Sequence, residues 1–125
     1  MSLDLALKAP LELLEQQHEL IQATILQIEK DFLQNGLELS WSKSDITSVA
    51  QLATQLTEVL EWLLERDEQR LLQILYRIDL GEEKLQSAMR NNVDQSLAAL
   101  LSKMVLLREA QKVIIRHHYK RVNHD

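Results

Sequence analysis

The 125-residue chain has no cysteine, one proline and two glycines. Without cysteine there is no disulfide, no thiolate zinc site and no cysteine nucleophile, and the chain suits a reducing compartment, so a cytoplasmic location is expected. Tight turns and strand connections consume glycine and proline, so their scarcity excludes a β-sandwich or a loop-rich enzyme and points to helix. Gly36 and Gly81 lie 45 residues apart, which leaves no glycine-rich phosphate loop. No stretch approaches the ~20 apolar residues that span a bilayer, and Met1 to Lys8 lack a basic start followed by a long apolar run. Neither membrane association nor secretion is expected. Repeats and low-complexity segments are absent as well.

What is present is enough for a single domain over residues 1–125. Hydrophobic residues make up 46% of the chain and charged residues 26%, a balance that supports one core and leaves no room for a second. The net charge of −5 conceals a split: residues 1–65 hold three basic and eleven acidic side chains, and residues 66–125 eleven basic and eight acidic. Acidic helices beside basic ones gain little per exposed pair but favour the right neighbour.

Apolar residues at alternating steps of three and four mark the helices. Leu11, Leu14, His18, Ile21, Ile25, Ile28 and Phe32 form one stripe, and Leu97, Leu100, Met104, Leu107, Gln111, Ile114 and His118 form another, each on one helical face. Packed antiparallel, the layers pair 11 with 118, 18 with 111 and 25 with 104. Pro10 suits the start of the first helix, and Asn35-Gly36-Leu37 its end, with Leu37 folding back on Phe32 in a Schellman cap. Ser42 and Asp45 read as a capping pair for the second helix, with Trp41 stapled onto Ile46. The wholly polar run Glu65 to Arg70 interrupts its apolar face, so a tight turn is placed near 65–67, against the alternative of an unbroken helix to residue 78. Gly81 weakens the third helix near 79–81, Asn91-Asn92 end it, and Asp94 caps the fourth. The expected fold is all-α: an antiparallel up-down-up-down four-helix bundle with helices at about 10–34, 43–65, 68–90 (kinked near 80) and 95–121.

Four groups of residues carry candidate chemistry. His18, level with Gln111, and His118, about 10 Å further along the bundle, form a polar layer in an apolar stripe, with His18 either a buried ligand or base, or a core histidine that fixes register. Glu15 and His18 match one Glu-x-x-His metal element. Twelve glutamates and four histidines produce roughly 0.4 such spacings by chance, and the second element of a di-metal site is missing. Arg108, Lys112, Arg116, Lys120 and Arg121, with His117, His118 and His124, are the one basic concentration. The expected register sets Arg116 near Glu12, and Arg108 and Lys112 near Glu19 and Glu15, and no groove-reading motif is present, so nucleic acid is not an expected partner. A second stripe of Ala99, Leu106, Ala110 and Val113, with Leu72, Tyr76 and Leu80 on the third helix, reads either as an extension of the core or as a subunit interface. No serine or lysine has a catalytic neighbourhood, and no cofactor is implied. The expectation is a non-catalytic interaction or assembly module, a homodimer through its third and fourth helices, with an unidentified protein partner. The alternative is a metal- or small-ligand-binding bundle centred on His18.

Overall fold

The computed structural model describes residues 9–90 and 96–123, and among these the chain forms six α-helices, one short 3-10 turn and no strand. In chain order they are α1 (Pro10–Gln16), α2 (His18–Leu33), the 3-10 turn Lys43–Asp45, α3 (Val49–Arg66), α4 (Glu68–Ile78), α5 (Glu82–Arg90) and α6 (Leu97–Asn123). The fold is all-helical. The expected four helices are six because two of them are divided, and no described helix is long and apolar enough to cross a membrane.

The first division falls at Gln17, whose φ of −133° and ψ of 100° leave the helical region. A continuous stripe would have buried the His18 imidazole. Breaking the helix one residue earlier turns His18 to solvent and brings Leu14 and Leu20 into the core on either side. The break is repaired locally, since Gln17 N–H donates to the Leu14 carbonyl and Leu20 N–H to that of Gln17. The second division is sharper than a kink. Asp79 (φ 65°) and Gly81 (φ 93°) both adopt left-handed backbone, and two such residues within three end α4 outright.

The second helix starts at Val49, six residues later than expected. Ser42 Oγ does donate to Asp45 Oδ2 (2.7 Å), but the pair closes a single 3-10 turn. Ile46 then returns to extended backbone and is fully buried. Ser48 is the true cap: its Oγ accepts from Gln51 N–H at 3.1 Å, while Gln51 Oε1 reaches back to the N–H and hydroxyl of Thr47. This is a second capping signal six residues downstream of the first, and the β-branched Ile46-Thr47 step favours the extended backbone that precedes it.

Two expected boundaries hold. Asp67 separates α3 from α4, its carboxylate accepting from Arg70 N–H at 3.2 Å and pairing with the Arg70 guanidinium at 3.1 Å. Gly36 (φ 81°) closes α2 in a Schellman arrangement, with Leu37 N–H on the Phe32 carbonyl and Gly36 N–H on that of Leu33. Arg70 and Arg77 of α4 lock that turn through the Gly36 carbonyl and Gln34 Oε1. The expected end at Asn91-Asn92 and cap at Asp94 lie outside the described residues; the N-cap seen for α6 is Ser96, whose Oγ accepts from Ala99 N–H.

Helix α6 touches each of the other five. Its buried face is Ala98, Leu101, Ser102, Val105, Leu106, Glu109, Ala110, Val113 and Ile114, not the 97/100/104/107/111 stripe, whose members are half-buried at the flanks. The helix is apolar on most of its circumference, so periodicity alone does not choose the face. Small residues do: Ala98, Ser102 and Ala110 let neighbouring backbones approach, and Ser102 Oγ donates to the Ala53 carbonyl of α3 at 3.2 Å. The register moves with the face, for Gln27 meets Arg116 and Asp31 meets Lys112. Residue 27 thus faces the chain about four helical turns further along than expected.

The expected subunit interface is therefore corrected. Leu106, Ala110 and Val113 belong to the monomer's core, Leu80 is buried, and Leu72 and Ala99 are half-buried; Tyr76 alone among them is exposed. Leu106→Glu places a charge at a site 1% exposed and costs several kcal/mol, so loss of the cooperative thermal transition is expected. A folded variant of halved solution mass would reinstate the interface. Gly36→Ala is a milder test. A Cβ there has space, 3.8 Å from Arg70 Nη1, yet the left-handed backbone penalises it by about 1 kcal/mol in urea unfolding. An unchanged midpoint would mean that the turn relaxes.

Candidate functional site

The His18 layer does not form. His18 is exposed, with Gln22 Nε2 3.4 Å from its Nε2. His118 is half-buried and stands edge-on to the Tyr119 ring, and Gln111 is half-buried on the flank of α6. Glu15 is structural, because its Oε1 accepts from Val49 N–H at 3.0 Å, so α1 caps the N-terminus of α3. That bond satisfies one of the donors every helix start leaves open, and puts negative charge at the positive end of the helix dipole. Among the described residues, no three of His, Asp and Glu converge as a metal-binding set.

The polar layer that does form lies between α2 and α6. Gln27, Asp31 and Glu109 are all buried, Glu109 completely. Gln27 Nε2 donates to Asp31 Oδ1 at 3.1 Å, and Arg116 closes the end by donating to Gln27 Oε1. Lys112 Nζ sits 3.4 Å from Asp31 Oδ2 and 2.9 Å from Glu109 Oε1. One cation thus serves two buried carboxyls, and two ionised carboxylates side by side have no donor to share. A proton on Glu109 supplies one, through an O–H to Asp31. Burial, reinforced by Asp31, raises the Glu109 pKa to about 8 against the pull of Lys112. Burial also pushes the Asp31 carboxyl up, but hydrogen bonds from Glu109 and Gln27 and the Lys112 charge outweigh it and hold it below its ordinary value. Those opposite directions favour an Asp31–Lys112 ion pair beside a protonated Glu109. Arg108 turns instead to Asp79 (3.9 Å), so Arg108, Lys112 and Arg116 of the basic stripe are answered internally, by partners other than those expected.

The carboxyl pair lines none of four surface grooves among the described residues. The surface feature of note is elsewhere. Residues 37–42 run along α3, and between them lies a groove of about 650 Å³ lined by Leu37, Leu39 and Trp41 on one side and Val59 and Trp62 on the other, with Glu38 and Glu58 as its charged groups. Gln55, Glu58, Val59 and Trp62 follow helical spacing and form one face of α3, while Leu52, Leu56, Leu60 and Leu63 bury the other. Trp62 is 51% exposed, and Trp41 is half-buried with its Nε1–H donating to Glu29 Oε2 at 3.3 Å. Trp41 is not stapled over a helix start at Ser42; it forms a wall of the groove. Neither tryptophan was legible as a binding residue. Trp62 did carry a signal, an indole on the side of its helix turned away from the 52/56/60/63 stripe. A second groove of about 600 Å³, on another side of α3, has no aromatic residue and mixes Lys103 with Glu58 and Glu61. No known family's sequence model matches the chain, and no curated protein or solved structure matches it either.

The carboxyl pair fixes a pH dependence. Glu109 holds its proton more tightly folded than unfolded, so its contribution is complete below the unfolded value of 4.5 and is lost as pH rises to about 8. Asp31 acts oppositely, its contribution disappearing as pH falls below 3.8. Stability measured by urea unfolding is expected to decline between pH 5 and 8 by on the order of 3–5 kcal/mol. Glu109→Gln, a neutral group of the same shape that still donates to Asp31, is expected to flatten that decline and to exceed wild type at pH 8. A variant that keeps the wild-type slope would show that Glu109 is already ionised at neutral pH.

Proposed function

We propose that this protein is a non-catalytic interaction module that docks a protein partner in the groove between residues 37–42 and α3. The observation that carries the reading is Trp62, an indole 51% exposed on a groove whose opposite wall holds a second tryptophan. Tryptophan is the side chain most enriched among residues that dominate binding energy, because it buries a large area at little conformational cost. An aromatic left in water on a fixed helix face, beside half-buried leucines, is the usual signature of a surface that is covered in use. The catalytic alternative has no comparable support: the carboxyls are buried, Glu15 is engaged at the start of α3, and His18 lies outside the core. A homodimer through α4 and α6 is not part of the proposal, since the stripe that suggested it faces the core.

Selection of random displayed peptides against the intact chain tests the reading. Trp62→Ser leaves the core untouched, so its stability is expected within about 0.5 kcal/mol of wild type. The selected peptides are expected to lose about thirtyfold in affinity for it, equivalent to about 2 kcal/mol for a hot-spot aromatic. Failure to enrich any peptide, or enrichment of peptides indifferent to Trp62, would sink the proposal.

A further inference from the structure

The docking reading leaves the shape and charge of the occupant open. We infer that it is an extended, lysine- or arginine-bearing segment of a protein partner, which adds beside residues 37–42 as a further strand. The inference rests on the docking reading and narrows it.

The shape follows from the backbone of the groove wall. Burial alternates strictly along the segment: Leu37, Leu39 and Trp41 are half-buried, and Glu38, Ser40 and Ser42 exposed, the period of an extended chain. No proline interrupts residues 37–42, so each carries an N–H. Leu37 N–H donates to the Phe32 carbonyl, and the Ser42 carbonyl accepts from Asp45 N–H. Between those bonds, among the described residues, the backbone groups of Glu38 to Trp41 make none. Donors and acceptors without a described partner, on a segment whose burial alternates with the period of a strand and whose last residue, Ser42, is extended (φ −87°, ψ 91°), are a template for strand addition. A helical occupant has no main-chain groups to offer, because its own are bonded internally. It would cover these groups without replacing their water and leave each one stranded. The other wall, α3, is equally saturated, which leaves residues 37–42 as the edge to pair with.

The charge follows from the lining. Glu38 and Glu58 are its charged groups, both are exposed, and no described cation pairs with either. The nearest base in sequence, Lys43, is held by Glu29 at 3.2 Å. The 1–65 half of the chain, with its eleven acids and three bases, adds a long-range field of the same sign. On a strand laid beside 37–42, the residues sharing the outer face with Glu38 would be basic. Those turned inward would be apolar and rest on Val59 and Trp62.

The probe is a blocked peptide of alternating valine and lysine, titrated against the intact chain with tryptophan fluorescence and amide exchange as readouts. Binding is expected together with slowed exchange of the amides within residues 38–41. Methylation of the backbone nitrogens along one edge of the peptide is expected to weaken it tenfold or more, and a valine–glutamate peptide is expected not to bind. Glu38→Lys with Glu58→Lys, both exposed positions, is expected to reverse the preference between the two peptides. The inference is overturned if the valine–lysine peptide does not bind, if methylation on either edge is without effect, or if charge reversal leaves the preference unchanged. Displayed peptides that depend on Trp62 but prove helical or acidic would overturn this inference and leave the docking reading standing. A display selection with no Trp62-dependent peptide would remove both.

Discussion

A carboxyl group buried completely in the middle of a helix that touches each of the other described helices is the constraint around which this fold is arranged. Glu109 lies on the buried face of α6 between Leu106 and Val113, where an apolar side chain would have been favourable by about 1.5–3 kcal/mol. Its presence dictates what surrounds it. The residue opposite must accept a hydrogen bond from the protonated carboxyl, the part that falls to Asp31; a cation must balance the Asp31 charge without leaving water entirely, which Lys112 does from one turn along α6. Gln27 and Arg116 then complete the layer. A sliding displacement of α6 by one turn would bring Val113 or Val105 opposite Asp31 and leave two buried carboxyls unanswered. The layer therefore sets the α2–α6 register in a way that the surrounding leucines and isoleucines, interchangeable by shape, do not.

That explains which parts of the fold can be read from the chain. Local signals survive: the Schellman bonds at Gly36, the break at Asp67 and the helix-ending step at Asp79–Gly81 depend on residues within one turn of each other. The face of α6 is not local. Its two apolar stripes differ by a rotation of one residue, and the choice depends on Ser102 meeting Ala53 of α3 and on Lys112 and Glu109 meeting Asp31. These are contacts between residues some fifty to eighty positions apart. A histidine that interrupts an apolar stripe marks a buried polar layer only if the helix carrying it is continuous, and α1 and α2 are not. Breaking the helix at Gln17 loses little once Gln17 and Leu20 find replacement carbonyls, and spares the burial of an imidazole. Gln27, Asp31 and Glu109 resemble solvent-facing polar residues when the chain is read alone; the clue to them is the Gln27–Asp31 and Glu109–Lys112 spacing of four and three on facing helices.

The acidic and basic halves of the sequence take on a different meaning in three dimensions. Five basic residues of α4 and α6 find partners within the chain: Arg70 and Arg77 lock the turn after α2, Lys112 and Arg116 serve the polar layer, and Arg108 faces Asp79. The acids of the first half are not all consumed in return. Glu15 caps α3 and Glu29 holds Lys43 and Trp41, but Glu38 and Glu58 remain beside the tryptophan groove. Charge left over after internal pairing is where an external partner is most effectively selected, and here it coincides with the exposed indole.

Rigidity links the core to the groove. Leu52, Leu56, Leu60 and Leu63 are completely buried, so α3 cannot roll, and its 55/58/59/62 face is presented at a fixed angle. The opposite wall is held at three points: Leu37 by the α2 cap, Trp41 by Glu29, and the far end by Ile46, whose buried side chain anchors the chain where the 3-10 turn ends. A loop of six residues pinned in this way loses little further freedom when something binds against it, and ordering of that kind is a main cost of association. The late start of α3 acquires a reason in these terms. Had the helix begun at Lys43, Ile46 would have entered a helical turn, the anchor at the end of the segment would be gone, and the wall facing Trp62 would be a mobile connection instead of a fixed edge.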